Sequence, residues 1–192
     1  MWYDRAVNRD FMRYFVGFII FIAIFILGFT LFHHSGPSKA VNKPLVLPSF
    51  AATSTDMQFT TDGPVVYDSN HFEIRITVGQ DQNTIDVLQG YQGTLVKHHA
   101  YPNNESAYNE FLYALQLTGF TQTQKISGSD IGACATGQRF YLNVIDSFGT
   151  PLQHTWNSSC SEGTSAANIG AVQGLFQAQI PDYQTEVAGV QT

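Results

Sequence analysis

Residues 71–78, His-Phe-Glu-Ile-Arg-Ile-Thr-Val, alternate without a fault, with Phe72, Ile74, Ile76 and Val78 on one side and polar residues on the other. A period of two predicts a strand buried on one face. Gly79-Gln80-Asp81-Gln82-Asn83 supplies turn residues before Thr84-Ile85-Asp86-Val87-Leu88, so the two runs predict a hairpin, extended by a third strand near Thr94-Leu95-Val96-Lys97. Gly90 and Gly93 around Tyr91 predict a bend or bulge. The period then changes: Ala107, Tyr108, Phe111, Leu112 and Leu115 recur at helical spacing, with Asn103 or Asn104 as N-cap. Gly119 can take the left-handed conformation that ends such a helix, and Phe120 can fold back onto Leu115.

A second unit follows the same plan. Arg139-Phe140-Tyr141-Leu142-Asn143-Val144-Ile145, a turn over 146–150, and Leu152-Gln153-His154-Thr155-Trp156 predict another hairpin. From about Ser165 a weaker helical pattern carries Ile169, Val172, Leu175 and Phe176 on one side, with Pro181 beyond its end. Gly170 and Gly174 each cost that helix about 1 kcal/mol relative to Ala, so packing has to hold it. Strand-strand(-strand)-helix twice over is an α+β domain, an antiparallel sheet covered by two helices.

The N-terminal pattern is of another kind. Residues 14–32 run YFVGFIIFIAIFILGFTLF without a charge. As a helix that is about 28 Å long, close to the ~30 Å hydrocarbon core of a bilayer. Unpaired backbone groups are costly in lipid, so residues 14–33 are expected to span the membrane as a helix, with the bilayer as their partner. Arg5, Arg9 and Arg13 precede the run closely and Lys39 and Lys43 follow at a distance, which favours a cytoplasmic N-terminus (1–13) and an outer C-terminal part. Cleavage of a signal after Ala40, where Ser38-Lys39-Ala40 is a small-x-small site, is the alternative. The apolar run exceeds the roughly 7–15 residues of a signal core.

Residues 34–56, rich in Pro and small side chains, read as a flexible linker, 57–183 as the extracytoplasmic domain, and 184–192 as a disordered tail. Composition narrows the partners. With 9 Lys+Arg against 15 Asp+Glu the chain is acidic, and across 57–183 only Arg75, Lys97, Lys125 and Arg139 face eleven acids. Phosphate backbones are held by Lys and Arg, so nucleic acid is excluded.

Cys134 and Cys160 lie just outside the second hairpin at nearly equal distances from its turn, so strand pairing brings them together and predicts a disulfide. Two free thiols or a catalytic pair are the alternatives, although the spacing is unlike Cys-x-x-Cys. The bridge would constrain the unfolded chain by about 3.5 kcal/mol, and an outward-facing domain is where a bridge persists. Catalytic patterns are scarce. His98-His99 should point to opposite faces of a strand, and no zinc, calcium or phosphate-loop motif is present, so no metal or cofactor is expected. Ser129 lacks the Gly-x-Ser-x-Gly setting, pairing it with His154 has no spacing argument, and Glu73, Asp86 and Asp146 are scattered acids. Arg139, Tyr141 and Trp156 share the second hairpin and could form an exposed arginine-aromatic binding patch, or Trp156 could simply cover the sheet and the bridge.

Several local patterns together carry a resemblance: Gly90-Tyr91-Gln92-Gly93, Asn103-Asn104 leading to Ala107-Tyr108 and Phe111-Leu112, Gly119-Phe120, Cys134 with Gly137, Arg139 and Tyr141, Trp156 with Cys160, and Leu175-Phe176 with Gln179-Ile180-Pro181-Asp182-Tyr183. Over residues 70–183 and the anchor the chain resembles a group of single-pass, membrane-anchored proteins, of no assigned activity, from candidate-phylum bacteria of the Saccharibacteria type. Ala135 stands where that group often carries Pro. The resemblance implies an anchor, a disulfide and a bacterial surface location, and no chemistry. The functional expectation is a non-enzymatic extracytoplasmic module at the cell membrane that binds an envelope protein or polymer. A cell-envelope hydrolase or hydrolase inhibitor, and an accessory subunit of a membrane complex, are the alternatives.

Overall fold

The computed structural model describes residues 45–125 and 129–192. Six strands form one antiparallel sheet: β1 (Asp56–Asp62), β2 (Phe72–Val78), β3 (Gln82–Gln89), β4 (Thr94–Pro102), β5 (Arg139–Ile145) and β6 (Pro151–Ser158). Their order across the sheet is β4-β3-β2-β1-β5-β6. The predicted hairpins are therefore β2–β3 and β5–β6, and β1, which the periodicity did not mark, joins them at the centre. Four strands precede the first helix and two precede the second, so the plan is not repeated evenly.

Helices α1 (Glu105–Leu117) and α2 (Ile169–Gln177) supply the rest of the core. Asn104 caps α1, its Oδ1 accepting the Ala107 N–H at 3.0 Å, and Gly119 at φ +76° lets the chain turn so that Phe120 is buried. Asn168 caps α2 in the same way through the Ala171 N–H. The buried α1 face of Tyr108, Phe111, Leu112 and Leu115 meets Met57, Phe59, Ile74, Ile76, Leu142 and Val144 of the sheet. Phe176 of α2 is the hub: its ring lies 5.5 Å from Phe59, 5.2 Å edge-on from Phe111 and 5.8 Å from Phe120. These contacts offset the weak intrinsic helicity of a segment with two glycines.

Both domain boundaries move outward. The linker expected over 34–56 ends earlier, because Leu47 is fully buried and its N–H donates to Gln116 Oε1 of α1. The tail expected to be disordered from 184 is ordered: a helical turn, α3 (Tyr183–Glu186), brings Glu186 onto β4, Val187 and Val190 pack on the core, and the Thr192 carbonyl accepts from Gln138. Lys97 Nζ stands 2.9 Å from Glu186 Oε2, while His99 Nδ1 and Tyr101 OH lie 2.8 and 2.9 Å from Oε1. The Lys97 ammonium paired with Oε2, together with the hydrogen bonds of His99 and Tyr101 to Oε1, holds the Glu186 carboxyl down at about 2, against burial. The predicted bridge is formed between Cys134 and Cys160. The span predicted over 14–33 lies outside the described residues, among which no helix is long and apolar enough to cross a membrane.

Candidate functional site

Both helices pack on one face of the sheet, and strand register sorts the side chains of the other face into rows. His98, Asp86, Arg75, Thr60, Tyr141 and Trp156 form the middle row, one residue from each strand. Ala100, Thr84, Thr77, Gln58, Asn143 and His154 form the row toward the β2–β3 turn. Glu73, Asp62, Arg139 and Ser158 lie in the row toward the β3–β4 turn. Ala100 and Trp156 apart, these rows are polar, which is why β2 and β5 alternate in sequence.

The first of these outer rows is a relay of hydrogen bonds. His154 Nδ1 lies 2.6 Å from Asn143 Oδ1, Asn143 Nδ2 donates to Gln58 Oε1 at 3.1 Å, and Gln58 Nε2 donates to Thr77 Oγ1 at 3.3 Å. The other outer row holds the buried charges. Arg139 Nε and Nη2 reach Asp62 Oδ2 at 2.8 and 2.7 Å, and Nη2 also meets the Gly63 carbonyl. His71 Nε2 stands 3.0 Å from Asp62 Oδ1 but off the line of a hydrogen bond, so Oδ1 has no donor among the described residues. Burial pushes the Asp62 carboxyl up, although the charges of Arg139 and His71 pull it down. Burial, with Asp62 and Asp130 nearby, likewise pushes the Tyr141 hydroxyl up to about 12, so it is a donor and not a base at neutral pH.

The patch expected at Arg139, Tyr141 and Trp156 is thus altered. All three turn away from the helices, yet Arg139 and Trp156 are only 7% and 6% exposed and Tyr141 is half-buried. The reason for Arg139 is Asp62, seventy-seven residues earlier in the chain. The two cysteines are joined and supply no thiol. Of the other residues considered for chemistry, Glu73 pairs with Arg75, Asp86 with His98, and Asp146 accepts the N–H groups of Phe148 and Thr150. Ser129 Oγ accepts the Ile131 N–H in its own loop while His154 is held by Asn143, so no hydrogen bond joins them. His98 and His99 point to opposite faces, toward Asp86 and Glu186. Among the described residues no group of three or more His, Cys, Asp or Glu is placed to hold a metal.

What the sequence did not mark is a strap over 63–71 at the disulfide end. Tyr91 OH accepts the Val66 N–H at 3.0 Å and donates to the Val66 carbonyl at 2.8 Å, and the Tyr91 N–H donates to Asp68 Oδ1. The His71 ring stacks on Tyr91 at 4.2 Å, and the Val65 N–H donates to the Ala135 carbonyl beside the bridge. The strap is pinned, yet Val65, Val66, Tyr67 and Tyr91 remain 40–80% exposed. Comparison with protein-family models, with characterised proteins and with solved structures finds no match for the chain.

Proposed function

We propose that the chain is a membrane-anchored extracytoplasmic interaction module, non-enzymatic, whose outer domain binds a component of the cell envelope. The charge-free run at 14–32 and its arginine-rich flank support the anchor, and the Cys134–Cys160 bridge fits an oxidising compartment. The observation that carries the binding reading is the pinned strap. Tyr67 at 80% exposure, with Val65, Val66 and Tyr91, offers tyrosine and valine to solvent from a backbone tied at both ends, so little conformational entropy is lost when a partner covers it. Against a catalytic role, the acids first considered for chemistry are held in ion pairs or in a turn.

The test is a photo-crosslinking amino acid placed at Tyr67 in the native membrane, with Tyr113 on the opposite, helical side as control. A discrete adduct from 67, absent from 113 and lost with Val66→Lys, is expected. Equal labelling from both positions, or none, refutes the binding reading. Intact mass of the chain from the same membranes, with thiols blocked, checks the anchor, and a mass beginning near Val41 refutes it.

A further inference from the structure

The end of the sheet opposite the disulfide carries a cleft of about 640 Å³ between the β2–β3 turn, the start of β1 and the β5–β6 turn. That volume lies within the roughly 300–1,000 Å³ of small-molecule sites, but those are mostly apolar, and this one is walled by Asp56, Thr77, Gln80, Asp81, Gln82 and Ser147. Gln80, Asp81, Gln82 and Ser147 make no side-chain hydrogen bond among the described residues. Thr77 Oγ1 accepts from Gln58 at the end of the relay and so keeps its own hydrogen to donate. Asp56 presses against the Gly79 backbone, where a Cβ would not fit, and burial pushes its carboxyl up. The cleft thus offers carboxylate and amide acceptors with hydroxyl and amide donors, and no cation among its lining groups.

Next to Ser147 stands Phe148, 91% exposed. Its turn is rigid: Asp146 Oδ1 accepts the Phe148 and Thr150 N–H groups at 2.9 and 2.8 Å, and Gly149, at φ +79°, donates to the Asp146 carbonyl. An exposed aromatic side chain one residue along from Ser147 of a cleft with uncommitted polar groups is a pairing complementary to a sugar, whose ring has an apolar C–H face and a rim of hydroxyls. Phosphorylated or uronic polymers are disfavoured by the two carboxylates and the absence of Lys or Arg.

We propose that this cleft binds a segment of a neutral polysaccharide, the Phe148 ring stacking on one sugar while Asp56, Thr77, Asp81 and the two glutamines bond its hydroxyls. The proposal rests on the binding-module reading and names the polymer class for a second surface, remote from the strap. The full chain in detergent micelles is followed by amide hydrogen exchange with neutral hexasaccharides of glucose, galactose and N-acetylglucosamine. Slower exchange at 79–84 and 147–150 with at least one sugar is expected, with affinity falling about tenfold or more in Phe148→Ala and in Asp81→Asn. Both substitutions are at exposed turn positions, so the fold is retained. No protection with any of the three sugars, protection indifferent to both substitutions, or protection by a hexalysine peptide instead, overturns the proposal. Crosslinking from Tyr67 is unaffected by these outcomes, so the two readings fail separately.

Discussion

Replacing Arg139 by Met removes a guanidinium but leaves Asp62, 7% exposed, with a carboxylate whose Oδ1 already has no donor and whose Oδ2 loses the Nε hydrogen bond and the Nη2 contact. Breaking a buried pair from one side costs about 3–5 kcal/mol, because the remaining charge stays buried with only the His71 ring beside it. For a domain of this size each kcal/mol lowers Tm by about 2–4 °C, so the variant should melt roughly 6–20 °C below the parent. Removing both charges with Asp62→Asn and Arg139→Met should cost less than removing Arg139 alone, a coupling of at least about 1 kcal/mol. The pH dependence has a definite sign. Burial raises the folded-state pKa of Asp62 above the ordinary 3.8, and without Arg139 it rises further. A raised folded value favours the folded state fully below the unfolded pKa, and that advantage is lost as pH rises through the folded pKa. The deficit of Arg139→Met is therefore largest near neutrality and shrinks toward pH 4. Urea unfolding followed by circular dichroism at both pH values measures all four corners of the cycle. A single-variant cost under about 1 kcal/mol at pH 7, or strict additivity within about 0.5 kcal/mol, refutes the reasoning.

Two further outcomes follow from the fold. Converting Cys134 and Cys160 together to Ser should lower unfolding free energy by about 3.5 kcal/mol, because a loop spanning 26 positions is no longer closed in the unfolded chain; urea titration checks it, and an unchanged midpoint would refute it. Glu186, held at about 2 against an ordinary 4.5, contributes stability that is present above pH 4.5 and lost as pH falls through about 2. Side-chain carboxyl resonances should show that low midpoint, with faster amide exchange at 187–192 appearing below it; titration near 4.5 would contradict the clamp formed by Lys97, His99 and Tyr101.

The elements that could be read locally share one property: their own side chains announce which way they face. Phe72, Ile74, Ile76 and Val78 alternate because β2 has a core face and a polar face, and the α1 stripe recurs at helical spacing for the same reason. β1 does not announce itself. It lies between β2 and β5, and beyond Met57 and Phe59 its buried residues are Thr60, Thr61 and Asp62, polar groups satisfied or covered by neighbours far away in sequence. The tail behaves similarly, since a short segment with one glutamate gives no local sign that Lys97, His99 and Tyr101 wait for it on β4.

The sequence by itself determined the β2–β3 and β5–β6 hairpins, both main helices, the first with its asparagine cap, and the pairing of Cys134 with Cys160, because turn chemistry, periodicity and hairpin symmetry act within a few dozen residues. It also carries the charge-free run from which the anchor is inferred. Only the tertiary structure decided that Asp62 meets Arg139, that the strap is bolted to Tyr91, and that the β2–β3 turn, the start of β1 and Ser147 enclose a polar cleft. Alternation states which face a side chain turns toward. Register and loop packing decide what it finds there, and both depend on contacts across the whole domain.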